Sequence, residues 1–392
     1  MLFCTTITHA RPAEDLSIRE IMERHYGHDV FVFGASARVG YFNKTNSSIV
    51  KRWLEEFSYN TPENDFKQSE TYPTPTSEWN PKGFLSQIEG ARKYNQVIRA
   101  HGPISPQCSG WARTDSRTAE ELENMLRLYM TKLSKELEAN KDVVLWMDVV
   151  NETFTQSKQK NGIGYDAKQK NITYKAHDWF GPREGDNSWE NPWPIMGFET
   201  YRYGAEEFQV PRYIRMAFEI ANEHAPSIKK IYNEHGNVIN TKAWDKIKKT
   251  VLYLRSQGIQ IDGIGWQSHV NLGWEKDPEN VQNLQDVITW CYENNLEFHI
   301  TELDVAVSGH NEKSARYDVL ESTRAEQAET IGAVVELMLK NIGKGARGLN
   351  MWVMTDRYHG GPTFASLFDN KGNPNPAYYK VKELLLEYKV IH

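Results

Sequence analysis

A (β/α)8 barrel, an α/β fold, is predicted by three features of the 392-residue chain: eight short apolar runs, helical stretches alternating with them, and no Gly-x-Gly-x-x-Gly turn after the first run. The first two features separate it from all-helical and all-strand folds. The third counts against an open doubly wound sheet that holds a dinucleotide. No unit of about 20–50 residues repeats and no segment is of low complexity, so residues 1–392 read as one catalytic barrel domain.

The runs fall at 31–36, 57–61, 96–100, 143–150, 229–232, 263–267, 297–301 and 348–354. Each has the length of a single strand, and most are apolar on consecutive positions, as a strand covered on both faces must be. The helical period is clearest between the third and fourth runs. There Leu122, Met125, Leu126, Tyr129, Met130, Leu133 and Leu137 share one face, and Thr118 with Glu121 makes a capping box ahead of them. After the fourth run the rhythm breaks. Residues 153–209 are polar and dotted with aromatics: Tyr165, Tyr174, Trp179, Phe180, Trp189, Trp193, Phe198, Tyr201 and Tyr203. A long loop insertion on the catalytic face is expected, most of its aromatics forming a small core of their own and one or two facing a ligand.

Bulk composition narrows the classes. Hydrophobic residues are 39% and charged residues 25%, an ordinary balance for a globular chain with a large core. A net charge of -6 and a pI near 6.1 argue against nucleic acid or an anionic membrane as partner. Cys4, Cys108 and Cys291 make neither a disulfide framework nor a metal-ligand spacing. No stretch approaches the roughly 18 consecutive apolar residues that span a bilayer. Residues 1–10 lack a basic segment and a long apolar run, so no complete signal peptide is visible.

Two carboxylates concentrate the chemistry. Glu152 closes the segment that begins at Trp146, and Glu302 sits in His299-Ile300-Thr301-Glu302-Leu303-Asp304. Each follows an apolar run and is therefore presented at a strand's C-terminal end, where barrel active sites are built. Taking a carboxylate out of water is costly, so a pair so placed suggests an acid and a nucleophile flanking one scissile bond.

The strand-end motifs resemble those of glycoside hydrolase family 10, the retaining endo-β-1,4-xylanases, in matching order along roughly residues 30–385. Thr61-Pro62-Glu63-Asn64 with Lys67 resembles the second-strand motif, and Arg99-Ala100-His101 the third. Val149-Val150-Asn151-Glu152 is similar to the fourth, Asp262 through His269 to the sixth, and Ile300 through Asp304 to the seventh. Trp352 and Asp356 match the eighth, followed by Leu367-Phe368-Asp369 and Pro376-Ala377-Tyr378-Tyr379. The resemblance implies Glu302 as nucleophile and Glu152 as acid/base. It implies Asn151 on the 2-hydroxyl of the attacked sugar, with His269 orienting Glu302 and Asp304 holding that imidazole. Glu63, Asn64 and Lys67 would grip the next sugar, with His101 and Gln267 lining the reacting one and Trp352 also binding substrate. The other reading of Glu63 and Lys67 is a solvated ion pair. Tyr232, at the fifth strand's end, is expected to face the cleft. Glu234 and His235 could be ligands but lack a third convergent residue, so no metal is expected, and no cofactor is implied.

Two departures bear on the reacting-sugar pocket. Where the family carries a Trp-His pair after the third-strand His, this chain has Ser105 and Pro106. The second Trp after the eighth strand falls in register with Gly360. Both losses should open space at the carbon that distinguishes a pentose from a hexose, unless His359 or an aromatic of residues 153–209 refills it. Three functions follow. The first is a retaining endo-xylanase. The second is the same mechanism on a hexose-containing or heavily decorated β-glycan. The third is a non-catalytic glycan-binding barrel, which the intact carboxylate pair opposes. A monomer is expected, with polysaccharide or oligosaccharide as partner. Location outside the cell or at its surface is expected from a substrate too large to import, its leader absent from this chain, with the cytoplasm left open.

Overall fold

A computed structural model describes residues 15–38, 40–72, 78–106, 118–154, 192–235, 242–306, 321–358 and 363–390. All eight apolar runs form strands: β1 (Val32–Ala35), β2 (Tyr59–Asn60), β3 (Val97–Ala100), β4 (Val144–Asn151), β7 (Lys229–Glu234), β8 (Gly263–Trp266), β10 (Glu297–Ala306) and β11 (Ala346–Met351). They lie side by side in the order β1-β11-β10-β8-β7-β4-β3-β2, every neighbouring pair parallel. The ends of this order meet where Ala37 bridges Pro62 and the Ala37 N–H donates to the Thr61 carbonyl at 3.0 Å. The result is the (β/α)8 barrel. At this seam β1 carries Gly34, whose Cα lies so close to the Tyr59 carbonyl that a Cβ would collide with it.

Between the strands run helices whose buried faces cover the barrel. The longest, Ala119–Ala139, buries Leu122, Met125, Leu126, Tyr129, Met130, Leu133 and Leu137, the face the periodicity predicts. Its capping box is formed in both directions, Thr118 Oγ1 accepting from the Glu121 N–H at 3.2 Å and Glu121 Oε2 from the Thr118 N–H at 2.7 Å.

Strand alternation stacks the lumen in layers. Val32, Tyr59, Val97, Trp146 and Ile231 form a buried cluster at its base. Two residues further along three of those strands stand Arg99, Asp148 and Asn233, all fully buried. The polar layer thus rests on an apolar floor and points toward the strands' C-terminal ends.

Part of the insertion departs from the loop expected there. Residues 198–211 form an antiparallel hairpin, β5 (Phe198–Tyr203) and β6 (Glu206–Pro211), turning at Gly204 with φ +61°. Only Tyr201, Val210 and Pro211 of its strand residues are buried, so they lack the apolar signal of a core strand. What holds them is tertiary: Tyr201 stacks on Tyr253 of the helix Lys242–Ser256 at 4.1 Å between ring centroids. Trp193 is fully buried beside the hairpin. Tyr165, Tyr174, Trp179, Phe180 and Trp189 lie outside the described residues, as do Cys4 and Cys108. Cys291 is buried and free. Short strands β9 (His269–Asn271) and β13 (Thr363–Ala365) pair with the far end of β10, and β12 (Arg357–Tyr358) pairs with β13. Among the described residues, no helix is long and apolar enough to cross a membrane.

Candidate active site

Glu302 lies on β10 past the point where β8 stops, so it rises above the sheet into the mouth of the barrel. Its two oxygens face two imidazoles. His101 Nε2 stands 3.6 Å from Oε1, and His269 Nε2 stands 3.5 Å from Oε2. Each ring is backed by a carboxylate through Nδ1, His101 by Asp148 at 3.0 Å and His269 by Asp304 at 2.9 Å. The second pairing follows from register, because Asp304 lies directly opposite His269 between β10 and β9. The first follows from alternation: His101 continues the lumen face of Arg99, and Arg99 donates to the same Asp148 from Nε at 2.7 Å. Sequence reading placed His101 only against substrate and passed over Asp148, although a charged residue inside the apolar run 143–150 was a visible signal.

This setting fixes charge. Burial works to raise the Glu302 carboxyl, but His101, His269 and Lys67 outweigh it and hold the group below its ordinary value. Burial also works against a charged His269, yet Asp304 and Glu302 overcome it and raise that imidazole well above its ordinary value. Both shifts favour the charged pair, a Glu302 carboxylate beside a His269 imidazolium.

Glu152 is held differently. Its Oε1 accepts from two neutral amides, Gln267 Nε2 at 2.9 Å and Asn151 Nδ2 at 3.4 Å. In a continuing strand the adjacent Asn151 and Glu152 would face opposite ways. Here Glu152 takes φ +54°, uncommon for a residue with a Cβ, and both side chains reach the cleft. The two carboxylates are linked through Asn233, whose Nδ2 donates to Asn151 Oδ1 at 2.8 Å and to Glu302 Oε1 at 3.4 Å. Thr301 fixes that amide by donating to Asn233 Oδ1 at 2.9 Å.

The remaining predicted positions divide. Lys67 is buried, and its Nζ donates to Asn64 Oδ1 at 3.0 Å. Burial draws the amine below its ordinary value against the pull of Glu302, Glu152, Glu63 and Glu70, which places it in the field of both candidate carboxylates. Glu63 is buried too, with Arg38 at 3.6 Å, so a solvated Glu63–Lys67 pair does not describe this corner. Trp352, partly exposed, meets His101 edge to face at 5.3 Å. Gln267 also reaches Asn151 Oδ1 at 3.2 Å. Ser105 is buried with its Oγ 3.4 Å from Asn151 Nδ2, and Gly360 and His359 lie outside the described residues.

Tyr232 does not enter the cleft. It is fully buried and stacks on Phe218 of the helix Arg212–His224 at 6.1 Å, so it faces the outer layer. Its neighbour Asn233 takes the lumen position, and sequence reading missed it. Glu234 and His235 are each engaged locally, by Thr153 and by the Phe154 carbonyl. Among the described residues no group of three or more His, Cys, Asp or Glu could hold a metal ion.

Known proteins resemble the chain along most of its length. The family model described as Glycosyl hydrolase family 10 matches residues 22–177 and 204–384. The chain is 28% identical over 366 residues to endo-1,4-beta-xylanase A of Caldicellulosiruptor saccharolyticus, covering 90% of this chain and 93% of that one. It is 26% identical over 345 residues to endo-1,4-beta-xylanase B of Thermotoga neapolitana, covering 85% and 82%. In fold it is similar to native xylanase 10B from Thermotoga maritima, with TM-score 0.67, 23% identity and coverage of 95% and 98%. It is also similar to xylanase 10B from Thermotoga petrophila in complex with xylobiose, with TM-score 0.67, 22% identity and coverage of 97% and 99%.

Proposed function

The chain belongs to glycosyl hydrolase family 10 and is a glycoside hydrolase, and from that premise we propose that it cleaves β-1,4-xylan or a related xylan internally, with retention. The observation that carries this reading is the unequal dress of two buried carboxylates at one barrel mouth. Glu302 faces two imidazoles that hold it ionised, whereas Glu152 is held by neutral amides. That inequality supports Glu302 as nucleophile and Glu152 as acid, since one group must attack as an anion while the other arrives with a proton.

In the first step Glu302 attacks the anomeric carbon and Glu152 gives its proton to the departing oxygen, leaving a glycosyl ester on Glu302. In the second, Glu152 takes a proton from water, the resulting hydroxide equivalent attacks the same carbon, and Glu302 departs as carboxylate. Two inversions give net retention. Asn151, gripped by Gln267 and Asn233, would hydrogen-bond the 2-hydroxyl of the attacked sugar. Lys67, Asn64 and Glu63 would hold the next one. The xylanase names of the two relatives support the choice of polymer.

A second reading keeps the mechanism and enlarges the reacting-sugar site. Ser105 favours it, because a short hydroxyl stands beside Asn151 where the family resemblance leads one to expect an indole. One experiment addresses both readings. The purified protein is incubated with plain xylan, substituted xylans and hexose polymers, products are identified by mass, and the first-formed anomer is read by NMR. Unsubstituted xylo-oligosaccharides appearing first as the β anomer are expected. Products from hexose or decorated polymers alone would select the second reading, and an α anomer would refute the double displacement. Glu302→Ala should lower turnover on the order of 10^4-fold or more, as loss of a nucleophile does elsewhere. An unchanged rate would remove Glu302 from its role.

A further inference from the structure

The segment that carries Glu152 is stitched, residue by residue, to the end of β7. Asn151 pairs with Asn233 in register, and the Glu152 N–H donates to the Asn233 carbonyl at 3.2 Å. The Thr153 N–H donates to Glu234 Oε1 at 2.8 Å, and the Thr153 hydroxyl donates to that same oxygen. Tyr232 OH meets Thr153 Oγ1 at 2.7 Å, and His235 Nε2 contacts the Phe154 carbonyl at 2.9 Å. The centre of this clamp is a carboxyl only 2% exposed, which touches neither the cleft amides nor Glu302 in any of these contacts. A carboxyl kept so deep, away from substrate, needs a local partner that repays its desolvation. That partner is the backbone immediately after Glu152.

We propose that Glu234 is a positioning residue for Glu152, its grip on Thr153 holding the left-handed turn that aims the acid at the leaving oxygen. The inference rests on the reading of Glu152 as acid/base. Without the grip, Glu152 relaxes toward ordinary extended backbone, and its side chain rotates off the face it shares with Asn151. The charge balance is compatible. Burial, with the Glu152 charge adding to it and His235 and Thr153 opposing, pushes the Glu234 carboxyl up to about 7. Below neutrality the clamp is therefore a neutral acid and sets no full negative charge beside Glu152. Oε2 has no hydrogen-bond partner among the described residues, so replacing it by an amide nitrogen removes no contact.

The test compares Glu234→Ala, Glu234→Gln and Glu152→Ala on two aryl glycosides of the released disaccharide. Dinitrophenolate leaves without protonation, and phenolate needs it. Read in kcat/KM, which reports the first step and not the base-assisted second, Glu152→Ala should lose on the order of 10²-fold or more on the phenyl substrate and little on the dinitrophenyl one. Glu234→Ala should show the same split at about tenfold or more, and Glu234→Gln should restore the phenyl rate. Equal losses on both substrates, no loss on either, or no rescue by Gln would overturn the proposal. If Glu152→Ala itself shows no split, the acid/base reading fails first and takes this one with it. Folding is checked by circular dichroism. Should the alanine variant not fold, Glu234→Asp, which withdraws the carboxyl by one methylene, carries the same comparison with the same overturning outcomes.

Discussion

At the scale of single residues, the site is a set of charges placed by their neighbours. The 2.9 Å contact between His269 and Asp304 decides how His269 presents itself to Glu302. Asp304→Asn removes the charge that raises the imidazole, so His269 falls back toward its ordinary 6.5 and Glu302 loses part of what keeps it low. On the proposed mechanism Glu302 attacks as the ionised carboxylate, so the acid limb of kcat/KM should move to higher pH in this variant. Each unit of movement is about tenfold in rate on the limb. A pH–rate profile unchanged from the parent would mean that Asp304 does not govern Glu302. Stability follows the same signs. The raised His269 contributes stability fully present below about 6.5 and lost as pH rises through its folded value. The lowered Glu302 contributes stability present above its ordinary value and lost as pH falls through the lowered one.

At the scale of elements, the capping box shows a local rule acting alone. Thr118 and Glu121 satisfy each other's backbone N–H groups at the start of Ala119–Ala139. Thr118→Ala should cost about 1 kcal/mol and lower the melting temperature by a few degrees, with kcat and KM untouched. Calorimetry beside an activity assay checks both halves. This helix was readable because its apolar spacing and its cap both lie within a few residues of sequence. The hairpin at 198–211 was not, because a stack on Tyr253, more than forty residues on, decides it. Likewise β2 is only Tyr59–Asn60, shorter than its apolar run, since the chain leaves the ladder to bridge β1 at Pro62.

At the scale of the molecule, closure brings together residues that no local pattern relates. Beneath the site Glu297 accepts from Trp146 Nε1 at 3.0 Å, pairs with Lys229, stands 3.4 Å from Arg347 and meets His299 at 3.1 Å. Four strands are tied at this one carboxylate. Burial would raise it, but His299 and Lys229 dominate and hold it far below its ordinary value, while burial pushes His299 down to about 4. Glu297→Gln should destabilise the barrel by about 3 kcal/mol near neutrality in urea unfolding. The depressed carboxylate contributes stability above its ordinary value of 4.5 and loses it as pH falls. The difference between parent and variant should therefore shrink in acid. A difference independent of pH would show that packing, and not the charge, is what the substitution removed.

The sequence by itself determined the barrel, the order of its strands along the chain, and the placing of Glu152 and Glu302 after apolar runs. Hydrophobic period and strand-end position are local properties, and a (β/α)8 fold turns each strand's C-terminal end toward the same mouth. The tertiary structure decided which side chain of each pair of neighbours looks inward. A strand buried on both faces is apolar throughout, so its pattern carries no mark of which alternate residues line the lumen. Hence Tyr232 turned out to face a helix while Asn233 joined the two carboxylates, and Asp148, hidden in an apolar run, came to stand behind His101. The left-handed turn at Glu152 belongs to the same class: it exists because β7 holds the next residues, and no stretch of chain around position 152 contains that fact.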